Sequence, residues 1–214
     1  MPRLTEATRA ARRSQILDAA LRCFAQMGYH AATMEDIAGA AGLSAANLYR
    51  HFSSKADLVE AIAVERHRRE VALIDLAFEG VDPSEGLHRL CDAYVDWLKD
   101  PDERLRRRVG VEIWAHGLRD ARTRAVVRRG LRQHRQLIER LERARRDGKL
   151  PERFDPEGAA RLLLALFQGV ILQQAFEPSL DVDRIAAAAH RLIDGLLHAP
   201  SPDHPPSARV RGTP

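Results

Sequence analysis

Residues 33–52, TMEDIAGAAGLSAANLYRHF, constrain the fold of this chain more than any other segment. Thr33 can cap a helix, and Asp36 stands at the third helical position, from which its carboxylate can bind back to the cap. Gly42 can take the left-handed conformation that ends this helix, and Ser44 offers a hydroxyl cap for a second one. The segment therefore predicts two short helices joined by a tight turn, a helix-turn-helix.

The helix-turn-helix has a buried side, and its second helix has a contrasting outward face. Ile37, Leu43, Leu48 and Phe52 supply apolar side chains for the interior. The outward face has many hydrogen-bond donors and no carboxylate, and it consists of Asn47, Tyr49, Arg50 and His51. Such a face suits DNA, whereas the alternative is a structural three-helix unit whose polar face is only solvated.

Lys55 stands in the first turn of the next helix, which Ser53 or Ser54 begins. The helix dipole disfavours a positive charge at this end. The position of Lys55 therefore predicts an external anion nearby, such as a DNA phosphate.

The pattern GY..AT...IA..AGLS...LYRHF..K..L resembles the N-terminal signature of the Tet repressor (TetR) family of bacterial transcription regulators, from about Ser14 to Leu58. The resemblance implies DNA contacts, mostly to phosphates, at Thr33, Ser44, Asn47, Tyr49, His51 and Lys55, with Ala45 and Asn47 near base edges. Family members often carry Thr or Ser where this chain has Asn47. Because asparagine can pair bidentately with adenine, this departure predicts an altered base preference.

Periodicity predicts an all-α fold of about nine helices. An apolar stripe from Ile16 to Met27 marks a first helix that ends before Gly28. Three Asp-Pro pairs combine a cap with a proline at the first helical position, and they are Asp82-Pro83, Asp100-Pro101 and Asp155-Pro156. Further helices are expected at about 54–78, 119–147 and 182–198, with Gly148 ending the second of these and Asp181 capping the third.

The chain divides into four predicted regions: a flexible basic arm at 1–12, the helix-turn-helix domain at 13–57, a helical regulatory and dimerisation domain at 58–198, and a disordered Pro-rich tail at 199–214. The net charge is +4, and the first 55 residues hold seven Arg or Lys against four Asp or Glu. The positive excess therefore lies beside the proposed DNA-reading helix. We expect a cytoplasmic protein without a membrane partner, because no apolar run of membrane-span length and no secretory signal is recognisable.

A single helix-turn-helix reads few base pairs, so specific binding to a palindromic operator calls for a homodimer. The apolar segments 156–176 and 182–198 are the candidate interface, and the resembled family uses its last two helices in this way. The interface residues that we predict are Leu166, Val170, Ala188, Leu192 and Leu196.

The resembled family usually holds a small molecule among its C-terminal helices. Aromatic side chains with a few polar groups suit an apolar pocket, and the candidates here are Tyr94, Trp97, Trp114, His116, Phe167, Gln168 and Gln173. Ordinary core aromatics and surface glutamines remain the alternative. The sequence does not identify the effector, and it predicts neither a cofactor nor a metal ion.

Other functional classes have less support. An enzyme would need a catalytic constellation, and the chain has no GxSxG, P-loop, HExxH or dinucleotide fingerprint. Glu112 and His116 share a helix face without a third metal ligand, and Cys23 and Cys91 are isolated, which favours free thiols. A constitutive or nucleoid-type DNA-binding protein without an effector, and a helical adaptor that binds only protein, remain open alternatives.

Overall fold

The computed structural model describes residues 6–132 and 135–198, and every regular element in these ranges is an α-helix. The predicted Pro-rich tail and the first residues of the predicted arm lie outside these ranges. The helices are α1 (Glu6–Ala31), α2 (Met34–Ala40), α3 (Ala45–His51), α4 (Lys55–Ala77), α5 (Pro83–Lys99), α6 (Pro101–Gly117), α7 (Ala121–Arg132), α8 (Arg135–Arg146), α9 (Pro156–Phe176) and α10 (Val182–His198).

Most helix starts follow from local capping. The three Asp-Pro pairs begin α5, α6 and α9, as predicted. Asp82 accepts a hydrogen bond from the Ser84 N–H at 2.8 Å, and Asp155 accepts one from the Gly158 N–H at 3.0 Å. Each carboxylate thus satisfies a backbone donor that the first turn of its helix leaves without an internal partner.

The start of α1 differs from the prediction. The helix begins at Glu6, so Arg9 and Arg12, which we expected in a flexible arm, stand on a regular helix. Gly28 has φ 80° and interrupts the helical geometry, which agrees with the predicted end of the first apolar stripe. The segment that follows, to Ala31, is a short helical turn that leads into the helix-turn-helix.

The predicted helix over residues 119–147 corresponds to α7 and α8, between which residues 133 and 134 are not described. Gly148 has φ 72° and follows α8, and the Lys149 N–H donates to the Ala144 carbonyl at 2.9 Å. This pattern is a Schellman ending, for which glycine is the favoured residue. Asp181 caps α10 by accepting from the Arg184 N–H at 3.0 Å.

The apolar interior forms three clusters, of which the first joins the N-terminal helices to α6. Ile37 and Leu48 from the helix-turn-helix share this cluster with Val109 and Ile113 from α6. The other two clusters lie among α4, α5, α8, α9 and α10. The core beneath the helix-turn-helix therefore includes side chains from the C-terminal body, across the predicted boundary at residues 57–58.

Candidate nucleic-acid interface and internal cavity

The start of α2 is fixed by the predicted capping box. The Thr33 hydroxyl accepts a hydrogen bond from the Asp36 N–H at 3.1 Å, and the Asp36 carboxylate accepts from the Thr33 N–H at 2.9 Å. The same carboxylate accepts from the Thr33 hydroxyl at 2.7 Å. These hydrogen bonds, that of the Thr33 side chain first, hold the pKa of Asp36 below its usual value. Thr33 therefore positions the helix, and it remains exposed.

The turn between α2 and α3 has the geometry that the sequence predicted. Gly42 has φ 65°, and the Leu43 N–H donates to the Ala38 carbonyl at 2.9 Å, which completes a Schellman ending. Gln15 on α1 donates a further hydrogen bond from its side chain to the Ala41 carbonyl at 2.8 Å. Sequence analysis had not identified this brace, since a glutamine on α1 gives no local sign of a partner 26 residues away.

The helix α3 separates its faces as predicted. The Ser44 hydroxyl caps it by accepting from the Asn47 N–H, and Leu48 is fully buried. Ala45, Asn47 and His51 are partly exposed, and Tyr49 and Arg50 are exposed. The exposed fraction of Tyr49 is 47%, so about half of this side chain is open to solvent.

Asn47 and Arg50 are linked on this face. The Arg50 guanidinium donates from Nη2 to Oδ1 of Asn47 at 2.7 Å. The pair lies one turn apart on the same side of α3, which is the spacing at which helical side chains meet. The face thus presents a guanidinium whose direction is set by a neighbouring amide.

Lys55 has a different partner from the phosphate that its position predicted. Its ammonium donates to the carbonyl oxygens of Tyr29, His30 and Ala32 at 2.8, 2.9 and 2.7 Å. These carbonyls belong to the end of α1, where a positive charge is favourable. These three carbonyls explain a positive charge at the start of α4 without an external anion, because each of the three ammonium hydrogens has a partner within the chain.

His116, which we predicted near the ligand, lies instead at this junction. Its ring centroid is 4.6 Å from that of Tyr29 and 4.8 Å from that of His30. His116 lies in the last turn of α6, and α6 runs from the body to the head. Its position on this helix places it beside the end of α1 and away from the cavity described next.

The body contains a cavity of about 320 Å³ between α4, α5, α6, α7 and α9. Five of the seven predicted ligand residues line it: Tyr94, Trp97, Trp114, Phe167 and Gln168. The ring centroid of Phe167 lies 4.0 Å from that of Tyr94 and 5.4 Å from that of Trp97. The aromatic wall is therefore a packed layer, and the cavity volume is within the range of small-molecule sites.

Gln173 is not part of this wall, contrary to the prediction. It follows Gln168 by five positions, which turns it about 140° around the axis of α9. The structure accordingly leaves Gln173 exposed, whereas Gln168 is half-buried at the cavity.

Sequence analysis missed the charged part of the cavity lining. It comprises Arg66, Arg69, Arg106 and Arg107 with Glu65, Glu70, Asp100 and Glu103, and His67 lies beside them. The runs ERHRRE and ERLRRRV look like solvated helix faces, and no local pattern marks their inward-facing members. Arg107 is only 6% exposed, and its guanidinium donates to the carbonyls of Trp97 and Leu98 at 2.7 and 2.8 Å. It thereby caps the end of α5.

Apolar side chains on α9 and α10 form an outward surface, the α9–α10 face. Its members are Leu162, Ala165, Gly169, Leu172 and Phe176 on α9, and Ala188 and Leu192 on α10. The α9 members recur at alternating intervals of three and four residues, which places them on one stripe. Phe176 is 83% exposed and Leu172 is 45% exposed.

The predicted interface residues meet this face only in part. Ala188 and Leu192 lie on it, while Leu166 and Leu196 are half-buried within the chain. Val170 is only 5% exposed and belongs to the chain's own core, so its prediction as an interface residue was wrong. It follows Gly169 by one position and therefore points about 100° away from the stripe.

By length and composition α9 is apolar enough to cross a membrane, which corrects the expectation that no run reaches that length. One side of α9 packs on the core and the other forms the α9–α10 face. Two apolar sides explain its composition without a membrane.

The sequence matches the family described as bacterial regulatory proteins, tetR family, over residues 16–62. It also matches the family described as BetI-type transcriptional repressor, C-terminal, over residues 83–198. A helix-turn-helix head on a helical, cavity-bearing body thus defines a DNA-binding transcription regulator rather than an enzyme. The chain belongs to the TetR family.

Individual relatives agree over most of their length. The transcriptional regulator UidR of Escherichia coli strain K12 is 28% identical over 197 residues, which are 87% of this chain and 93% of that protein. The transcriptional regulator TtgR of Pseudomonas putida is 32% identical over 183 residues, which cover 80% of this chain and 83% of that one. The structure of Salmonella enterica GusR superimposes with a TM-score of 0.75 at 31% identity, over 92% of this chain and 99% of that chain.

Proposed function

We propose that this protein is a ligand-responsive repressor that binds a palindromic operator as a homodimer in the cytoplasm and is released by a small-molecule effector. One observation carries the proposal: α4 and α6 each contribute to both functional regions. Val59 of α4 and Ile113 of α6 are in the core cluster beneath the head, and both also line the cavity. A molecule in the cavity therefore touches the side chains on which the head rests.

In the proposed complex α3 of each protomer enters the major groove. Asn47 and Arg50 are the candidate base-reading residues, since an amide suits adenine and a guanidinium suits guanine. Thr33, Ser44, Tyr49 and His51 are candidate phosphate contacts, as the family resemblance implies. Lys55 acts through the end of α1, which it holds in place. Two heads about one helical turn apart, or a multiple of it, then bind a palindrome.

The α9–α10 face is the proposed dimer interface. It is apolar and continuous along α9, and residues such as Phe176 are exposed in the single chain. Exposed apolar patches of this kind mark association surfaces. A two-fold axis through the face would bring α9 and α10 of both protomers into one four-helix arrangement.

Release follows from linkage. An effector weakens operator binding when it prefers a conformation in which the two heads are wrongly spaced for the DNA. A preference of about 1 to 3 kcal/mol changes operator affinity roughly 5- to 150-fold. Because α4 runs from the head to the cavity wall, its tilt is the proposed coupling coordinate.

In vitro selection of bound DNA by the full-length protein tests the DNA-binding part. We expect a palindromic consensus from the native chain. Asn47→Ala should relax the preference at one base pair of each half-site and cost about 1 to 3 kcal/mol on the preferred sequence. The matched control is Gln136→Ala, which removes an exposed amide from α8.

An unchanged consensus for the Asn47 variant would contradict its role in base reading. No retardation of any fragment at low salt would overturn DNA binding and favour the protein adaptor. A palindromic consensus without stabilisation by any small molecule in a thermal-shift screen would favour the constitutive DNA-binding protein.

Sedimentation equilibrium tests the dimer. Leu172→Asp should weaken association on the order of 100-fold or more, because a charge replaces an apolar contact in both protomers. The control is Leu118→Asp, since Leu118 is 78% exposed at the end of α6 and outside the α9–α10 face.

A native chain that is monomeric, or a Leu172→Asp chain that dimerises normally, would overturn this interface. Co-flotation of the native protein with phospholipid vesicles would instead favour a membrane as the occupant of the face.

A further inference from the structure

We propose that the effector is an organic anion with an apolar or aromatic body and that Arg66 binds its acidic group. This inference rests on the proposed function, because it assigns a ligand class to the same cavity. The argument depends on which polar groups of the cavity are already used by the protein and which are not.

The three glutamates of the cavity lining all have arginine partners. Glu70 accepts from Nε of Arg66 at 3.1 Å, and Glu103 accepts from Nη1 of Arg69 at 2.8 Å. Glu65 accepts from Arg69 at 3.3 Å and from Arg68 on the outer surface at 2.9 Å. No unpaired glutamate is left in the described lining to receive a cationic ligand.

The arginines of the cavity differ in how many of their N–H groups are hydrogen-bonded within the chain. Arg107 donates to carbonyls at the end of α5, and Arg106 pairs with Asp18 at 2.6 Å. Arg69 pairs with two glutamates. Arg66 uses only Nε, so Nη1 and Nη2 have no hydrogen-bond partner among residues 6–132 and 135–198. These two nitrogens form the end of the guanidinium that binds a carboxylate bidentately.

The surroundings of Arg66 leave space at this end. Its guanidinium carbon lies 5.4 Å from the ring centroid of Trp114, within cation–π distance. Gly110 on α6 also lines the cavity, and a Cβ at this position would come within 3.7 Å of Nη1. An alanine side chain would reach Nη1 at ordinary van der Waals distance, so Gly110 leaves slightly more room beside this end of the guanidinium.

Two further polar side chains in the lining lack partners. The Tyr94 hydroxyl and the Gln168 amide make no hydrogen bond within the described part of the chain. Burial first, and the charge of Glu70 second, raise the pKa of Tyr94, so that its hydroxyl remains a donor. The cavity thus offers unused donors and, among the described residues, no unpaired glutamate, which favours an anion over a cation.

The rest of the wall selects the body of the ligand. Trp97 and Phe167 supply apolar ring surface, and about 320 Å³ accommodates a body of one to three rings.

Arg66 follows Lys55 by eleven residues on α4, about 16 Å along the helix axis. An acid held by Arg66 therefore acts on the same helix that anchors the end of α1.

The test uses 1-anilinonaphthalene-8-sulfonate as an aromatic anion and N-phenyl-1-naphthylamine as its neutral twin. Both tryptophans of the chain, Trp97 and Trp114, line the cavity. Energy transfer from them reports probe bound to the protein, and the Arg66 variants distinguish probe in the cavity from probe on the α9–α10 face. Titrations with the full-length protein give the ratio of the two affinities.

We expect the native chain to prefer the sulfonate. Arg66→Met should weaken sulfonate binding about tenfold or more and leave the neutral twin within about twofold. Arg66→Lys should retain part of the preference, and Glu70→Gln should tighten sulfonate binding because it removes a nearby negative charge. The control is Arg89→Met, which removes an exposed guanidinium whose partner, Glu85, lies outside the cavity lining.

Equal binding of the two probes to the native chain would overturn the proposal, as would an equal loss of both in Arg66→Met. Operator binding by the unliganded variants separates this test from the proposed function. Retained operator binding with no anion preference would overturn only the ligand class, whereas absent operator binding would overturn the proposed function and leave the probe ratio interpretable.

Discussion

The helix-turn-helix head and the cavity of the body use polar side chains in opposite ways. In the head, Tyr49 and Arg50 point outward from a closed core in which Ile37 and Leu48 have no exposed surface. In the body, arginines and glutamates point inward around an opening in the packing. The outward residues of the head are thus not needed for its packing, whereas the proposed ligand site in the body shares its charged groups with contacts that stabilise the fold.

The largest expected effect comes from substituting one arginine in each region and comparing the free energies of unfolding. Arg107→Met should lower the free energy of unfolding by about 2 to 4 kcal/mol, because it leaves carbonyls at the end of α5 without their charged donor. Arg50→Met should change it by less than about 0.5 kcal/mol, because Arg50 is exposed, while weakening operator binding. Urea unfolding and operator titration measure the two effects. Equal losses of stability would break the comparison.

Lys55 is an exception in the head, because it acts as an interior group. Lys55→Met should lower the free energy of unfolding by about 1 to 2 kcal/mol through the lost hydrogen bonds to α1. The dependence of operator binding on salt concentration should remain unchanged. The control Lys149→Met, at an exposed position, should alter neither quantity. A salt dependence reduced by roughly one ion would instead assign Lys55 to a phosphate.

The capping box should give the smallest effect, a pH dependence in the head. Hydrogen bonds from Thr33 hold the pKa of Asp36 below 3.8, so its stabilising contribution is complete above that pH and is lost as the pH falls through the lowered pKa. Asp36→Asn should therefore melt below the native chain at about pH 6, and the difference should shrink below pH 3.8. Glu35→Gln, in the same turn, is the control. A constant difference across this range would contradict the role of the carboxylate.

Local signals explain what the sequence predicted well. The cap at Ser44, the positive φ of Gly42 and the three Asp-Pro helix starts each depend on residues within four positions of one another. The outward face of α3 follows from the same short-range periodicity. These features could be predicted because the backbone groups that they satisfy belong to their own helix ends.

The errors and omissions involve partners distant in sequence. Lys55 binds carbonyls 23 to 26 residues away, and Arg66 meets Trp114 from another helix. Val170 was assigned to the interface although its direction on α9 points into the core. The sequence of an apolar helix does not distinguish the side that packs on its own chain from the side that contacts a partner. That distinction requires the positions of the neighbouring helices.

The inclusion of Val109 and Ile113 in the cluster beneath the head has a consequence for protein engineering. A fragment cut after α4 would leave the inner surface of the head open to water where α6 is missing. Exchange of DNA specificity between related regulators should therefore succeed by grafting the outward residues of α3, and fail when the whole amino-terminal segment is transplanted without its supporting helix.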